Sequence, residues 1–218
     1  MLIERANAGL HDYIWQHLIE VLPLPNSVLD IGSGTGAWLQ RFQQKQVRVL
    51  MGVDLDTTQF AIEGIPTKAL NFDTYQGEIF GSYALITCLE LMEHLENPGL
   101  LMDMIQKNLA PGGCCILSTP NIHSRNARLR YALKGELGHF DTKSDPTHIY
   151  PVYTANLQKL LERRNMKITS IHAFPKGSSL NYNRPVRWLA QLLSPMMRTT
   201  YEGDNIIYLI QHNHSSQP

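Results

Sequence analysis

The side chains best suited to proton or metal chemistry gather in two stretches. Glu90, Glu93 and His94 stand together in Leu89-Glu90-Leu91-Met92-Glu93-His94, and His148 follows in Asp145-Pro146-Thr147-His148-Ile149-Tyr150. An imidazole that is neutral near pH 7 takes a proton from a hydroxyl, and a neighbouring carboxylate orients it. The same groups, two carboxylates and imidazole, also suit a hard divalent ion that lowers the pKa of a bound hydroxyl. Glu90 and Glu93 are three apart and His94 adjoins Glu93, so one helical turn would present Glu90 with either Glu93 or His94 on one face. The reading preferred is metal-free: His94 as general base, Glu93 orienting it, and His148 converging on the same centre. In the plainer alternative, Glu93 and His94 only hold the end of a strand by hydrogen bonds.

A second kind of chemistry lies upstream, in Val28-Leu29-Asp30-Ile31-Gly32-Ser33-Gly34-Thr35-Gly36-Ala37-Trp38. Apolar residues give a short buried strand, three alternate glycines give a sharp turn, and a helix follows with Trp38, Leu39 and Phe42 inward. Backbone lying against a ligand leaves no room for Cβ, and the helix start offers free N–H groups. Gly32, Gly34 and Ala37 satisfy the loose dinucleotide pattern, which keeps an NAD-dependent oxidoreductase open as an alternative. Asp30, two residues before the first glycine, argues against it: a carboxylate there repels a pyrophosphate and attracts a cationic ligand.

The elements that must position these groups alternate. An amphipathic helix over 4–22 ends at Pro23-Leu24-Pro25. Strands are expected near 28–31, 47–53, 67–70, 83–88, 114–119, 167–174 and 205–211. Helices are expected over 37–45, 57–63, 98–109 and 154–164, with a further helical piece within 122–150. Asp54, closing the second strand, suits a ribose, and Asp56 suits a helix cap. Arg5 and His11 on the first helix read as a solvated face, with contact to a bound cofactor as the alternative.

Together, Asp30/Gly32/Gly34/Gly36, Asp54, Asp73, the Glu90–His94 segment and Pro111-Gly112-Gly113 closely resemble class I S-adenosylmethionine (SAM)-dependent methyltransferases, of the ubiquinone-biosynthesis O-methyltransferase type. The resemblance covers about residues 25–175. It implies a Rossmann-like, doubly wound α/β sheet of seven mostly parallel strands, with helices on both faces and an antiparallel last strand. It implies SAM as cofactor and S-adenosylhomocysteine as product, held by Asp30, Gly32, Ser33, Gly34, Gly36, Asp54, Leu55, Phe72, Asp73 and Leu89. In that scheme Asp73 takes the adenine amino group, and Phe72 lies against the ring. The Glu-x-x-Glu-His segment is also similar to that of metal-dependent small-RNA 2′-O-methyltransferases, where a later histidine completes the metal site; His148 is its counterpart here. A non-catalytic SAM-binding protein is the third alternative.

Composition narrows the class. At 218 residues, 43% hydrophobic and 17% charged, the chain is expected to fold as a single methyltransferase domain, 1–218. A formal net charge of zero gives no global field toward nucleic acid or a membrane. Cys88, Cys114 and Cys115 sit in apolar runs without CxxC spacing and read as reduced thiols of a cytoplasmic protein. Segment 122–150, with Arg125, Arg128, Arg130 and Lys134, is expected to form a lid over the acceptor pocket together with the 175–203 insertion. The cations suggest an acidic acceptor or peripheral membrane contact, a solvated basic face being the alternative. The insertion's apolar helix is read first as core packing or a dimer contact, with a bilayer surface as the alternative. The expected partner is a small-molecule acceptor, the oligomeric state monomer or homodimer, and residues 212–218 are expected to fray.

Overall fold

The computed structural model of the chain describes residues 2–21, 23–176, 184–193, 195 and 201–213. Its organising element is one continuous seven-stranded sheet with the order β3-β2-β1-β4-β5-β7-β6. The strands are β1 (Ser27–Ile31), β2 (Val49–Asp54), β3 (Thr67–Ala69), β4 (Tyr83–Leu89), β5 (Leu109–Pro120), β6 (Met166–Phe174) and β7 (Asn205–His212). The first five pair in parallel, and β7 runs antiparallel between β5 and β6. The seven-stranded, mostly parallel architecture and its antiparallel last strand agree with expectation.

Strand residues alternate between two apolar layers because successive side chains point to opposite faces. Ile86, Cys88, Cys115, Leu117, Tyr208 and Ile210 pack beneath α3 (Pro98–Asn108) and α5 (Thr154–Glu162). Val28, Leu85, Ile116 and Ile207 face α1 (Leu10–Ile14), its π-helical continuation Trp15–Ile19, and α2 (Ala37–Gln44). On that second face Trp15, Trp38 and Phe42 form edge-to-face ring contacts at 5.0–5.9 Å. Helices therefore cover both faces of the sheet.

Several local expectations are corrected. The first helix begins at Leu10, behind a left-handed Gly9, so residues 2–8 run as a strap instead of helix. Val21 is 66% exposed, and Leu22 lies outside the described residues. No helix forms over 57–63: the Thr58 N–H turns back to Asp56 Oδ1, and the Ala61 N–H is taken by the Thr35 carbonyl. The first bond is one that a helix start could also make, but the second withdraws from the ladder the amide that would have closed its first turn on Thr57. The expected turn at Ala110-Pro111-Gly112-Gly113 is absorbed into a longer β5 with an irregular register against β4. The helical piece of 122–150 is α4 (Arg125–Lys134), capped by Ser124 Oγ accepting from the Ala127 N–H and ended by left-handed Gly135. In the 175–203 insertion, α6 (Arg184–Leu192) contacts α4; residues 177–183, 194 and 196–200 lie outside the described set, as do 214–218. Cys88, Cys114 and Cys115 are free thiols. No helix among the described residues is long and apolar enough to cross a membrane.

Candidate active site

The carboxyl ends of β1, β2 and β4 open into a cleft of about 340 Å³, where parallel sheets of this kind place ligands. Its floor is the glycine turn after β1. Gly32, Gly34 and Gly36 all have positive φ (83°, 51° and 84°). Two of them show why glycine is required. A Cβ on Gly36 would come within 2.7–2.9 Å of Ile62 and Phe60, whereas a Cβ on Gly34 would point into the cleft, 3.7 Å from Arg5 Cδ. The first position fixes packing of the turn on the domain; the second keeps its ligand side clear.

Asp54 holds this turn in place. Its Oδ2 accepts from the Gly34 N–H at 2.7 Å and its Oδ1 from the Asp56 N–H at 3.2 Å. The Gly32 and Ser33 amides both reach the Val53 carbonyl. Asp30 is buried in the floor, its Oδ1 accepting from Thr87 Oγ1 at 2.6 Å. Burial pushes its carboxyl up to about 7; the Thr87 hydroxyl partly offsets this and Asp54 adds to it.

The strap of residues 2–8 forms the roof. Ile3, Glu4, Arg5 and Ala6 line the cleft, with His11 and Trp38 behind them. Thr35 Oγ1 donates to the Ile3 carbonyl at 2.9 Å, Arg41 donates to Glu4 at 2.7 Å, and Arg5 donates to Gln59. His11 is buried, with Nδ1 3.3 Å from Glu4 Oε1. Arg5 and His11 therefore line the cleft instead of a solvated face: left-handed Gly9 makes the helix begin late and lays the strap across the turn.

The far wall comes from the segment after β4. Glu90 adopts φ 51°, and its N–H meets both Ser118 O and Oγ at 3.1 Å. Its carboxylate accepts from Ser118 Oγ at 2.7 Å and from Asn205 Nδ2 at 2.6 Å. Burial raises it to about 7, against those two donors. Glu90 is thus tied to the ends of β5 and β7 and is not part of one helical turn with Glu93 and His94, although it lines the same cleft as His94. The reason is local: the helical turn is a short 3-10 segment, Met92–His94, that begins after Glu90.

Glu93, His94 and His148 do converge, with one possible ligand atom from each lying within 4.8 Å of the others. Glu93 is fully buried, and neither carboxylate oxygen has a hydrogen-bond partner. Its carboxyl is pushed well above the usual range by burial first, then by Glu90. The Glu93 carbonyl accepts from both Ile149 and Tyr150 N–H at 2.9 Å, which brings the loop of His148 alongside. His94 Nδ1 is 2.8 Å from Thr147 Oγ1, and that hydroxyl donates to Asp145 Oδ1 at 2.6 Å. With its proton spent there, Thr147 can only accept, so Nδ1 of His94 carries the proton and Nε2 the lone pair. His148 Nδ1 likewise donates to the His139 carbonyl at 2.9 Å. The two rings meet edge-on, 4.7 Å apart. Burial, followed by His148, lowers the His94 pKa, so it is uncharged at neutral pH.

The remaining cofactor candidates divide. Ser33 and Leu89 line the cleft. Leu55 is exposed and stands outside its walls. Phe72 is buried in the core layer and does not line the cleft. Asp73 also lies outside the cleft walls, and its Oδ1 accepts from the Asn97 N–H at 2.7 Å ahead of α3. Segment 122–150 gives the cleft Asp145 and Thr147, whereas none of the described residues of the 175–203 insertion lines it. Sequence reading passed over Thr87, Ser118, Asn205 and Thr147; only Thr147, beside His148 in an Asp-Pro-Thr-His run, carried a local signal.

A family model described as methyltransferase domain matches residues 4–171. The chain belongs to that family. Its methyltransferase domain is 31% identical over 105 residues to a ubiquinone biosynthesis O-methyltransferase of Psychrobacter cryohalolentis, covering 43% of this chain and 40% of that protein. It is 25% identical over 175 residues to one from Acinetobacter baumannii, covering 75% and 71%. The first match thus spans less than half the relative's length. Among solved structures, a SAM-dependent methyltransferase from Archaeoglobus fulgidus superposes with a TM-score of 0.61 at 17% identity, covering 92% of this chain and 93% of that one. That likeness confirms the Rossmann-like methyltransferase fold.

Proposed function

We propose that this methyltransferase transfers the methyl group of SAM to an oxygen of a small-molecule acceptor. The observation that carries the reading is that one cleft holds both the glycine turn with its acids and a neutral imidazole. SAM supplies an activated methyl on a cationic sulfur. Around it, Asp54 stands at the carboxyl end of β2, where a ribose would sit, and Asp30 offers negative charge to the ammonium and sulfonium end. The open side of Gly34 lets the ligand approach the backbone. His94 Nε2 takes the acceptor's proton while Asp145 and Thr147 fix its tautomer. Adenine contacts from Phe72 and Asp73 are not part of this reading, since neither lines the cleft. The acid-lined floor disfavours a pyrophosphate, and with it the NAD-dependent alternative. Turnover of methyl-labelled SAM against fractionated metabolites tests the proposal; no labelled product from any fraction, with SAM bound, would favour the non-catalytic alternative.

A divalent ion fits the same wall. Buried Glu93 lacks any partner for its two oxygens, and both histidines keep a free Nε2. Glu93, His94 and His148 would hold such an ion, which would supply Lewis acidity toward the acceptor hydroxyl. Under this second reading chelator abolishes turnover and Mg²⁺ or Mn²⁺ restores it; under the metal-free reading chelator leaves the rate unchanged.

The floor also predicts pH dependence. A carboxyl titrating near 7 in the free protein must be ionised to attract a cationic ligand. SAM affinity is therefore expected to rise with pH through 7 and level off above it. Between pH 6 and pH 8 the gain is about tenfold, with a proton released on binding below 7. Calorimetry in two buffers of different ionisation enthalpy measures both, and Asp30→Asn should flatten the profile. An equally steep profile in that variant would move the effect to another group.

A further inference from the structure

The charge of this chain is neutral in sum but not in distribution. The α4 stretch Arg125–Lys134 holds four cations and no acid. The α6 helix, Arg184–Leu192, adds Arg184 and Arg187, again with no acid. The two helices, α4 and α6, touch each other. Arg125 and Arg130 are matched by Glu202 and Asp141, whereas Lys134 and Arg184 are exposed.

Apolar groups share this surface. Arg184, Trp188 and Leu192 follow one another at helical spacing on α6, and Trp188 and Leu192 are 65% and 60% exposed. Ala190 is buried on another side of the helix, so α6 has an inner side and leaves a tryptophan and a leucine outside. Tyr131 and Leu133 near the end of α4 are exposed too. Glu136 also pairs with Arg130, so among the described residues the cations of this surface without a matched carboxylate are Lys134, Arg184 and Arg187. With the exposed apolar side chains beside them, they complement a surface that is anionic at its headgroups and apolar just beneath. A nucleic acid would use the cations but leave Leu133 and Leu192 without a partner.

The topology says which way this surface looks. α4 leaves the sheet after Pro120, and α6 lies between Phe174 and Asn205. Both leave at the edge where Pro120, Asn205 and Phe174 are in register, the carboxyl edge of the parallel strands. That edge carries the cleft. Arg130 further ties α4 to Asp141, in the loop leading to His148.

We infer that α4 and α6 form a peripheral docking surface for an anionic lipid bilayer, seating the protein with its cleft edge toward the membrane. The inference stands apart from the methyl-transfer reading. Its test uses the full chain and vesicles of phosphatidylcholine alone or enriched in phosphatidylglycerol. Trp15 and Trp38 are buried and Trp188 is the third tryptophan, so Trp188 fluorescence reports insertion directly. Co-sedimentation with the anionic vesicles is expected at low salt, weakening as salt rises, with a blue shift of emission. The Trp188→Ser/Leu192→Ser variant should lose the shift and bind about tenfold or more weakly, at unchanged melting temperature. Arg184→Glu should weaken binding while keeping the tryptophan as reporter. Absence of binding to anionic vesicles at low salt overturns the proposal. So does equal binding by both variants and the wild type, or a wild-type dimer that the double variant dissolves while vesicle binding is absent, which would assign the face to a second copy.

Discussion

His94→Ala is expected to lower the methyl-transfer rate by about 10²–10⁴-fold while leaving the affinity for SAM unchanged. The residue stands on the wall away from the glycine turn, and its imidazole bonds Thr147 instead of any residue of that turn. Its loss therefore removes a proton acceptor and spares the floor. Thr147→Val supplies the intermediate case. Without the hydroxyl, Nδ1 loses its partner, the tautomer with the lone pair on Nε2 is no longer selected, and the rate falls by less. The pH profile carries the sign. Because burial lowers the His94 pKa, the base is free at neutral pH, and activity should decline only on the acid side of the ordinary histidine range. Rates measured on an acceptor identified by label transfer decide the matter. A wild-type rate in His94→Ala would reduce Glu93, His94 and His148 to the closing of a strand end.

Asp54→Ala carries the second large effect, on binding. One carboxylate oxygen clips the Gly34 amide at 2.7 Å, and the group stands where a ribose would need an acceptor. Losing charge-assisted hydrogen bonds of this kind costs about 1.5–3 kcal/mol, or about ten- to more than hundredfold in affinity. Titration calorimetry with S-adenosylhomocysteine, alongside circular dichroism to verify the fold, measures it. Asp54→Asn keeps an acceptor for Gly34 but not the charge, so it should fall between alanine and wild type. Wild-type affinity in Asp54→Ala with an intact fold would exclude this residue from the cofactor site.

The glycine turn, its two flanking elements and the sheet that carries them were legible because each leaves a local mark. Val28, Leu29 and Ile31 read as strand, Trp38, Leu39 and Phe42 as a helix face, and the glycines between them as a turn. The antiparallel β7 came from family resemblance, since alternation along a strand does not encode direction. Partners distant in sequence left no such mark. Asn205 serves Glu90 from across the sheet, and Thr147 selects the tautomer of His94 through Asp145. The missing helix over 57–63 has the same origin: its pattern was adequate, but tertiary contact withdrew the Ala61 amide. Phe72 shows the converse difficulty: an apolar residue beside an acid reads equally as a ring contact or as core, and here it packs in the core layer.

The placing of β7 between β5 and β6 bears on how the protein is born. A ribosome delivers the strands in numerical order, so the block from β3 to β5 can assemble early. In the finished sheet β6 meets only β7, and it must wait for the segment Asn205–His212 to emerge and slide in beside β5. Until then the nascent chain presents an unpaired β5 edge, the kind of surface on which incomplete chains aggregate. The same arrival delivers Asn205 to Glu90, a contact spanning 115 positions that local folding cannot hasten. A translating chain therefore owns its glycine turn well before the acid of the opposite wall is braced.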